Sequence, residues 1–292
     1  MRSRDAFSAC HPVVNLVYFT LVLLFSMCWM HPACLGISLA GATACVFVLR
    51  GGTTLGKSLL RLLPIALLAA VVNPAFNHEG VTILTYLPGG NPLTLESILF
   101  GLASAGMLMA VLLWFSCTTC VMTSDKWVYL FGRVIPALSL VLSMTLRFVP
   151  KFRQQFQIVR ETLPEDGGVL RRMRTLVTVF SIVVTWSLEN AVETADSMKS
   201  RGYGLPGRTA FSIYRMDSRD KRMLIWLGAC ALCLGSGWLL GGADWRYYPA
   251  INGASVAPTT VGFWCVYLAL CFTPVVLCWR EERTWNLLQS KI

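Results

Sequence analysis

Several apolar runs in this chain are long enough to cross a lipid bilayer, and they constrain its fold more than any other feature. Residues 12–49 contain no Lys, Arg, Asp or Glu and are long enough for two helical spans, separated near His31-Pro32. A helix needs about 20 apolar residues to cross the hydrocarbon core. A further apolar run, residues 59–76, contains only Arg61 near its start, and residues 97–124, 223–243 and 259–279 are again free of Lys, Arg, Asp and Glu. The sequence therefore predicts an all-α polytopic membrane protein with about six transmembrane helices.

The distribution of basic residues predicts how these spans are oriented. The loop after the third span, residues 77–96, has no Lys or Arg, and the last loop on the same side has only Arg246. Basic residues instead precede the first span and follow the last, at positions 2, 4, 280, 283 and 291. Because cytoplasmic loops are enriched in Lys and Arg, we expect both termini to lie in the cytoplasm.

The middle of the chain, residues 125–222, is strongly basic. It holds 16 of the 25 Lys and Arg residues against nine acidic residues, a net charge of +7. Its two apolar runs, 134–146 and 175–188, have only 13 and 14 residues. If both crossed the membrane, the basic residues between them would lie outside, against the usual bias. We therefore interpret this region as a cytoplasmic domain of long amphipathic helices that lie against the bilayer or another membrane protein.

This interpretation predicts three domains. Residues 1–124 form an N-terminal transmembrane domain with four helices, 125–222 form the cytoplasmic helical domain, and 223–292 form the C-terminal transmembrane helices. The net charge of +10 does not indicate nucleic acid binding, because the basic residues cluster between the spans.

Motifs for catalysis and for nucleotide or metal binding are missing from the sequence. There is no HExxH, P-loop or GxSxG motif, and the spans carry almost no ionisable residues. The CxxC pairs at Cys117 and Cys230 lie in apolar runs, where cysteine is usually a small buried apolar residue. We predict no catalytic residue, no metal and no cofactor, so that any energy input comes from a partner protein. Two alternatives stay open: a membrane enzyme or assembly factor with a basic lipid-binding domain, or a self-contained permease.

One charged segment, residues 188–204, has the pattern of an amphipathic helix that ends at an arginine. Its apolar residues recur at helical spacing up to Met198, its acidic residues lie toward the start, and Lys199 and Arg201 lie at the end. Gly202 and Gly204 then supply a stop signal. Such a helix is suited to docking on a partner protein.

Three segments together resemble the transmembrane T component of energy-coupling factor (ECF) transporters, which import vitamins and cobalt or nickel ions in prokaryotes. Thr94-Leu95-Glu96, followed by Gly101, resembles the family's entry to a span. Pro136 begins a run that leads into Leu146-Arg147-Phe148-Val149-Pro150, which resembles its LRF-x-P helix. Ala195 to Tyr203 resembles its signature ending in Arg-Gly-Tyr. The resemblance covers roughly residues 10 to 280 in organisation, and the last two segments are the most specific.

The resemblance implies a coupling subunit in the prokaryotic cell membrane. In this family, two x-Arg-x motifs end two coupling helices, and each arginine docks on one of two ATP-binding cassette ATPase subunits. The helices also hold a substrate-binding membrane subunit, the S component, whose reorientation delivers the substrate. The resemblance also implies that four residues contact the S component or pack the helices together: Pro136, Leu146, Pro150 and Met198.

Only one of the family's two docking motifs has a clear match in this chain. The second motif matches Ser200-Arg201-Gly202. Where the first is expected, the chain instead has Glu165-Asp166-Gly167, with Arg160 upstream and Arg171-Arg172 downstream. Either an acidic helix end replaces the first arginine, or a neighbouring arginine takes its role.

Overall fold

The computed structural model describes residues 6–86, 92–162, 169–205, 214–241, 244–253 and 257–290. Within these residues the chain forms long helices joined by short loops, which confirms the all-α polytopic class. The helices divide into two compact units. Unit 1 contains Met1–Thr123 and Tyr214–Ile292, and unit 2 contains Ser124–Ile213.

Unit 1 is a bundle of apolar helices with two short β-ribbons in its loops. Its helices are α1 (Pro12–Cys28), α2 (Pro32–Arg50), α3 (Gly52–Phe76), α4 (Leu95–Val121), α8 (Ser218–Leu239) and α9 (Pro258–Gln289). Its antiparallel ribbons pair β1 (Ile83–Tyr86) with β2 (Pro92–Thr94), and β3 (Trp245–Arg246) with β4 (Asn252–Gly253).

Unit 2 contains three helices: α5 (Ser124–Val134), α6 (Pro136–Thr162) and α7 (Val169–Ser200).

The apolar helices agree with the predicted spans, apart from one difference. Six helices of the described chain are long and apolar enough to cross a membrane, and five of them (α2, α3, α4, α8 and α9) match predicted spans. The predicted first span is α1, an apolar helix of only 17 residues. The sixth candidate is Arg172–Ser200 of α7, which the sequence analysis assigned to the membrane surface. That assignment counted only the uncharged run 175–188, whereas the helix is 32 residues long and carries its charges mainly toward its two ends.

A buried network of polar side chains joins four helices in the core of unit 1. The hydroxyls of Ser26 in α1 and Ser38 in α2 lie 2.6 Å apart, and Ser26 Oγ lies 3.0 Å from the Tyr267 hydroxyl in α9. The Trp114 indole N–H in α4 donates to Ser38 Oγ at 3.1 Å. Because a buried polar group without a partner costs free energy, this network specifies how α1, α2, α4 and α9 pack.

The loops expected outside meet at one end of this bundle. The Tyr247 hydroxyl donates to the carbonyl of Met30 at 2.9 Å, and the Tyr248 hydroxyl lies 3.3 Å from Asn73 Oδ1. At the other end, the Arg50 guanidinium donates to the carbonyl of Ser116 at 2.8 Å. Arg50, which follows the second predicted span, therefore lies at the end opposite these loops.

At the same end of the bundle, the first residues of α8 contact the residue that precedes α1. The Asp220 carboxylate, which is 4% exposed, accepts hydrogen bonds from the backbone N–H groups of His11 and Asp217, both at 3.3 Å. Asp217 and Asp220 form a capping box, which starts α8 five residues before the predicted span.

Candidate docking site on the helical hairpin

Helices α6 and α7 form an antiparallel hairpin. The rings of Phe148 in α6 and Trp186 in α7 stack with their centroids 5.9 Å apart. Eleven residues further along α6, Val159 packs with Val179 and Val183 of α7 in a buried cluster. Contacts that advance along α6 therefore move backwards along α7. The C-terminus of α7 consequently lies at one end of the hairpin and the C-terminus of α6 at the other.

The C-terminus of α7 is closed by a Schellman motif that places Arg201 in the cap position. The backbone N–H of Tyr203 donates to the carbonyl of Met198 at 3.0 Å, and that of Gly202 to the carbonyl of Lys199 at 3.1 Å. Gly202 has φ = 80°, a left-handed conformation that other residues adopt at a cost. Main-chain hydrogen bonds and one glycine therefore determine where Arg201 lies.

The Arg201 side chain is exposed at this helix end. Its charge is favoured there, because the last carbonyls of a helix form the negative end of the helix dipole. Lys199 in the last turn adds a second exposed cation. A planar guanidinium has five N–H donors, so a partner's carboxylates or carbonyls can accept several directed hydrogen bonds from it. The arrangement can bind a polar groove on a partner protein.

The other end of the hairpin carries Arg160, the described residue of the candidate first motif. Arg160 is exposed in the last turn of α6, two residues before the helix ends. Glu165, Asp166 and Gly167 lie outside the described residues. For straight helices, the two contacts between α6 and α7 separate the levels of Arg160 and Arg201 by roughly 30–40 Å along the axis.

The four residues assigned to S-component contact or helix packing lie at different levels of the hairpin. Leu146 and Pro150 flank the Phe148–Trp186 stack, and both are exposed. Met198 is half-buried about three turns beyond Trp186. Pro136 begins α6, but its side chain lies outside the described set. The structure thus does not gather these residues into one cluster.

Pro150 lies inside α6 without ending it. Because proline has no N–H, the carbonyl of Leu146 lacks its helical donor.

The segment Thr94-Leu95-Glu96 has a clear structural role at the entry to α4. Thr94 is the N-cap residue, and its hydroxyl accepts from the N–H of Ser97 at 3.3 Å. The Glu96 carboxylate accepts from the hydroxyl of Thr82 at 2.8 Å. Gly101 follows where α3 and α4 approach closely, since a Cβ there would lie 2.5 Å from the carbonyl oxygen of Ala70.

The hairpin contact itself was not anticipated from the sequence. Its buried residues are Val159, Val179 and Val183, with Phe152 and Phe156 packed against them. The signal was present, because Phe148, Phe152, Phe156 and Val159 recur at the spacing of one helix face. The short uncharged runs 134–146 and 175–188 do not include this stripe, which lies beyond the first of them.

Over part of its length, the chain is similar to curated proteins named energy-coupling factor transporter transmembrane protein EcfT. It is 30% identical to the protein of Lactobacillus helveticus over 98 residues, which is 31% of this chain and 35% of the relative. It is 31% identical to that of Lacticaseibacillus paracasei over 113 residues, 36% of this chain and 41% of the relative. It is 30% identical to that of Bacillus selenitireducens over 94 residues, 30% of this chain and 35% of the relative. The matches thus span well under half the length of these relatives, and no family model matches the chain.

Proposed function

The chain is related to the T components of energy-coupling factor transporters over about a third of its length, and on that premise we propose that it couples ATP hydrolysis by partner subunits to transport. In this role it is a membrane scaffold without catalytic activity of its own. Two ATP-binding cassette ATPases bind it, and an S component that selects the substrate packs beside it. The similarity to EcfT proteins is the observation that carries this proposal.

The geometry of the hairpin supports docking of two ATPases. Arg201 is exposed at one end of α7, and Arg160 is exposed at the opposite end of the hairpin. Two separate ATPase subunits need two separate contact points, and the antiparallel arrangement supplies them. We propose that Ser200-Arg201-Gly202 is the docking motif for one ATPase. The region from Arg160 to Gly167 is the contact for the other.

Exposed apolar side chains on the hairpin support a further apolar neighbour. In α7, Val177, Phe180 and Leu188 are 60–69% exposed, although Val179 and Val183 on the opposite face are fully buried against α6. An apolar face of this kind on a water-exposed domain marks contact with a protein or a membrane. We propose that it contacts the S component, at the level of Leu146 and Pro150, and the bilayer.

The proposed topology follows from the basic end of unit 1. Arg50, Arg219 and Arg280 are at the bundle end opposite the loops that contain Met30 and Tyr247. By the positive-inside bias, this end lies in the cytoplasm of a prokaryotic cell, together with both termini. Residues 125–222 then form the cytoplasmic coupling domain between the transmembrane domains 1–124 and 223–292.

Charge reversal at Arg201 tests the proposal. We expect Arg201→Glu to release at least one ATPase from the purified complex, because a carboxylate repels the acceptors that a guanidinium would bind. Co-purification with tagged chain, followed by quantification of each ATPase, measures the loss. The matched control is Lys151→Glu, which reverses an exposed cation inside α6, away from both ends of the hairpin, and should retain both ATPases.

Retention of both ATPases by the Arg201→Glu protein would show that Arg201 is not the docking residue. Copurification of the unmodified chain without any ATPase would refute the coupling function as a whole.

A further inference from the structure

A charged cavity opens at the basic end of unit 1, between α8, α9 and the segment that precedes α1. Its volume is about 240 Å³, and its lining includes Arg219 and Met223 from α8 and Leu277, Arg280 and Glu281 from α9. None of these residues belongs to the proposed docking site. All of them lie in unit 1.

The register of α8 and α9 places the charged residues at the level of lipid headgroups. The two helices are antiparallel: the Trp226 indole N–H donates to Thr273 Oγ1 at 3.4 Å, and eleven residues further along α8 Gly237 lies against Phe263, ten residues earlier in α9. Arg219 lies two turns before Trp226, and Glu281 lies two turns after Thr273, so both reach the same level. Met223 and Leu277 lie one turn deeper, toward the apolar part of both candidate spans. The cavity therefore has a charged mouth above an apolar floor.

The two arginines provide donors for a phosphate. The Arg219 guanidinium donates to Cys10 Sγ at 3.6 Å, and a thiol sulfur is only a weak acceptor. A phosphate oxygen is a much better acceptor for a guanidinium, and charge-assisted pairs of this kind are about twice as strong as neutral hydrogen bonds. Arg280 lines the same cavity from α9.

Glu281 contributes a carboxylate oxygen that needs a hydrogen-bond donor. Its Oε2 atom is buried, and it has no hydrogen-bond partner among the residues that the structure describes. A buried acceptor without a donor is costly, so a ligand that supplies an N–H group here is favoured. The cavity thus combines two cations for a phosphate with one carboxylate oxygen that needs a donor.

We propose that this cavity binds the headgroup of a phospholipid whose phosphate carries an ammonium group, as in phosphatidylethanolamine. The phosphate lies between Arg219 and Arg280, the ammonium donates to Glu281 Oε2, and the acyl chains run along Met223 and Leu277. A trimethylammonium headgroup has no N–H donor for Glu281. A glycerol headgroup offers hydroxyls but no positive charge.

Lipid titration of the full-length chain in detergent, read by native mass spectrometry, tests this assignment. For the unmodified protein we expect phosphatidylethanolamine to bind at least about tenfold more tightly than phosphatidylcholine, as one charge-assisted hydrogen bond predicts. Glu281→Gln should abolish this preference, whereas Glu282→Gln, which changes an exposed neighbour, should keep it. Arg280→Ala should weaken binding of both lipids, and Arg283→Ala, whose guanidinium lies over Trp279, should not.

Three results would overturn the proposal. The first is an unchanged lipid preference in the Glu281→Gln protein, which is nearly isosteric and should fold even if Arg280→Ala does not. The second is tighter binding of phosphatidylglycerol than of phosphatidylethanolamine. The third is equal affinity for soluble glycerophosphoethanolamine and the intact lipid, since the cavity would then serve a free phosphate compound rather than a membrane lipid.

Discussion

At the scale of single residues, the chain separates side chains that specify the fold from side chains that are exposed for contact. Ser38 and Trp114 are buried and joined by a hydrogen bond, so their polar groups stabilise the packing of the helices. Arg201 is exposed at a helix end that main-chain hydrogen bonds and Gly202 hold in shape. Substitutions at these two kinds of position should therefore have different consequences.

Ser38→Ala tests the buried network. The substitution leaves the Trp114 indole N–H without its acceptor, and we expect a loss of about 1–2 kcal/mol in the free energy of unfolding. A lower thermal midpoint of the purified protein in detergent measures it. Ser236→Ala removes an exposed hydroxyl that bonds only within its own helix, to the carbonyl of Cys233, and should leave the midpoint unchanged. Equal midpoints for the two variants would show that the network contributes nothing.

Gly202→Ala tests the cap beside Arg201. An alanine in the left-handed conformation costs roughly 1 kcal/mol, so we expect the last turn of α7 to open more often. Amide hydrogen exchange at Tyr203, whose N–H closes the cap, should become faster by about fivefold. Gly106→Ala is the control, because it replaces a glycine inside α4 where a Cβ meets no atom within 4 Å. Unchanged exchange at Tyr203 would show that the glycine does not hold the cap.

At the scale of elements, the uncharged runs of the sequence predicted where most helices lie. They did not predict where the helices end, because ends depend on local hydrogen bonds. The capping box of Asp217 and Asp220 begins α8 earlier than its apolar run does. The β1–β2 and β3–β4 ribbons were also missed, since strands of two to four residues leave little periodic signal. Most importantly, α7 is longer than its uncharged core, and composition alone permits it to span the membrane.

Reporter fusions decide the position of α7. If the helix lies at the cytoplasmic surface, green fluorescent protein fused after Gly167 or after Gly204 should fluoresce equally, because it folds only in the cytoplasm. A fusion after Gly80, in a loop expected outside, should remain dark. Fluorescence from only one of the first two fusions would place α7 across the bilayer and refute the proposed cytoplasmic domain.

At the scale of the whole molecule, the two proposed docking ends differ in charge. One end presents Lys199 and Arg201, whereas the sequence near the other end places Glu165 and Asp166 between Arg160 and Arg171. The sequence was enough to detect this difference, because it depends on residue identity. It could not reveal that Arg160 and Arg201 lie toward opposite ends of a hairpin, which depends on contacts such as Phe148 with Trp186 and Val159 with Val179.

This difference leads us to expect two different ATPases in the assembled transporter. Because an end that mixes Glu165 and Asp166 with neighbouring arginines favours a different partner surface from an end that presents only Lys199 and Arg201, the purified complex should contain two distinct ATPase chains in equal amounts. Asp166→Arg, which recreates an Arg-Gly pair, should shift the ratio toward the ATPase that binds Arg201. Quantitative mass spectrometry of the complex measures the ratio, with Asp166→Asn as the control for loss of charge alone. An unchanged ratio in the Asp166→Arg protein would contradict this expectation.

The Schellman motif at the end of α7 also bears on how such a protein can diversify. The backbone of this helix end is fixed by Gly202 and by carbonyls of the preceding turn, not by the side chain at position 201. Mutations at that position can therefore accumulate without disturbing the fold. In the proposed docking role, a lineage that keeps the glycine can therefore alter the surface it offers to a partner by changing a single exposed side chain.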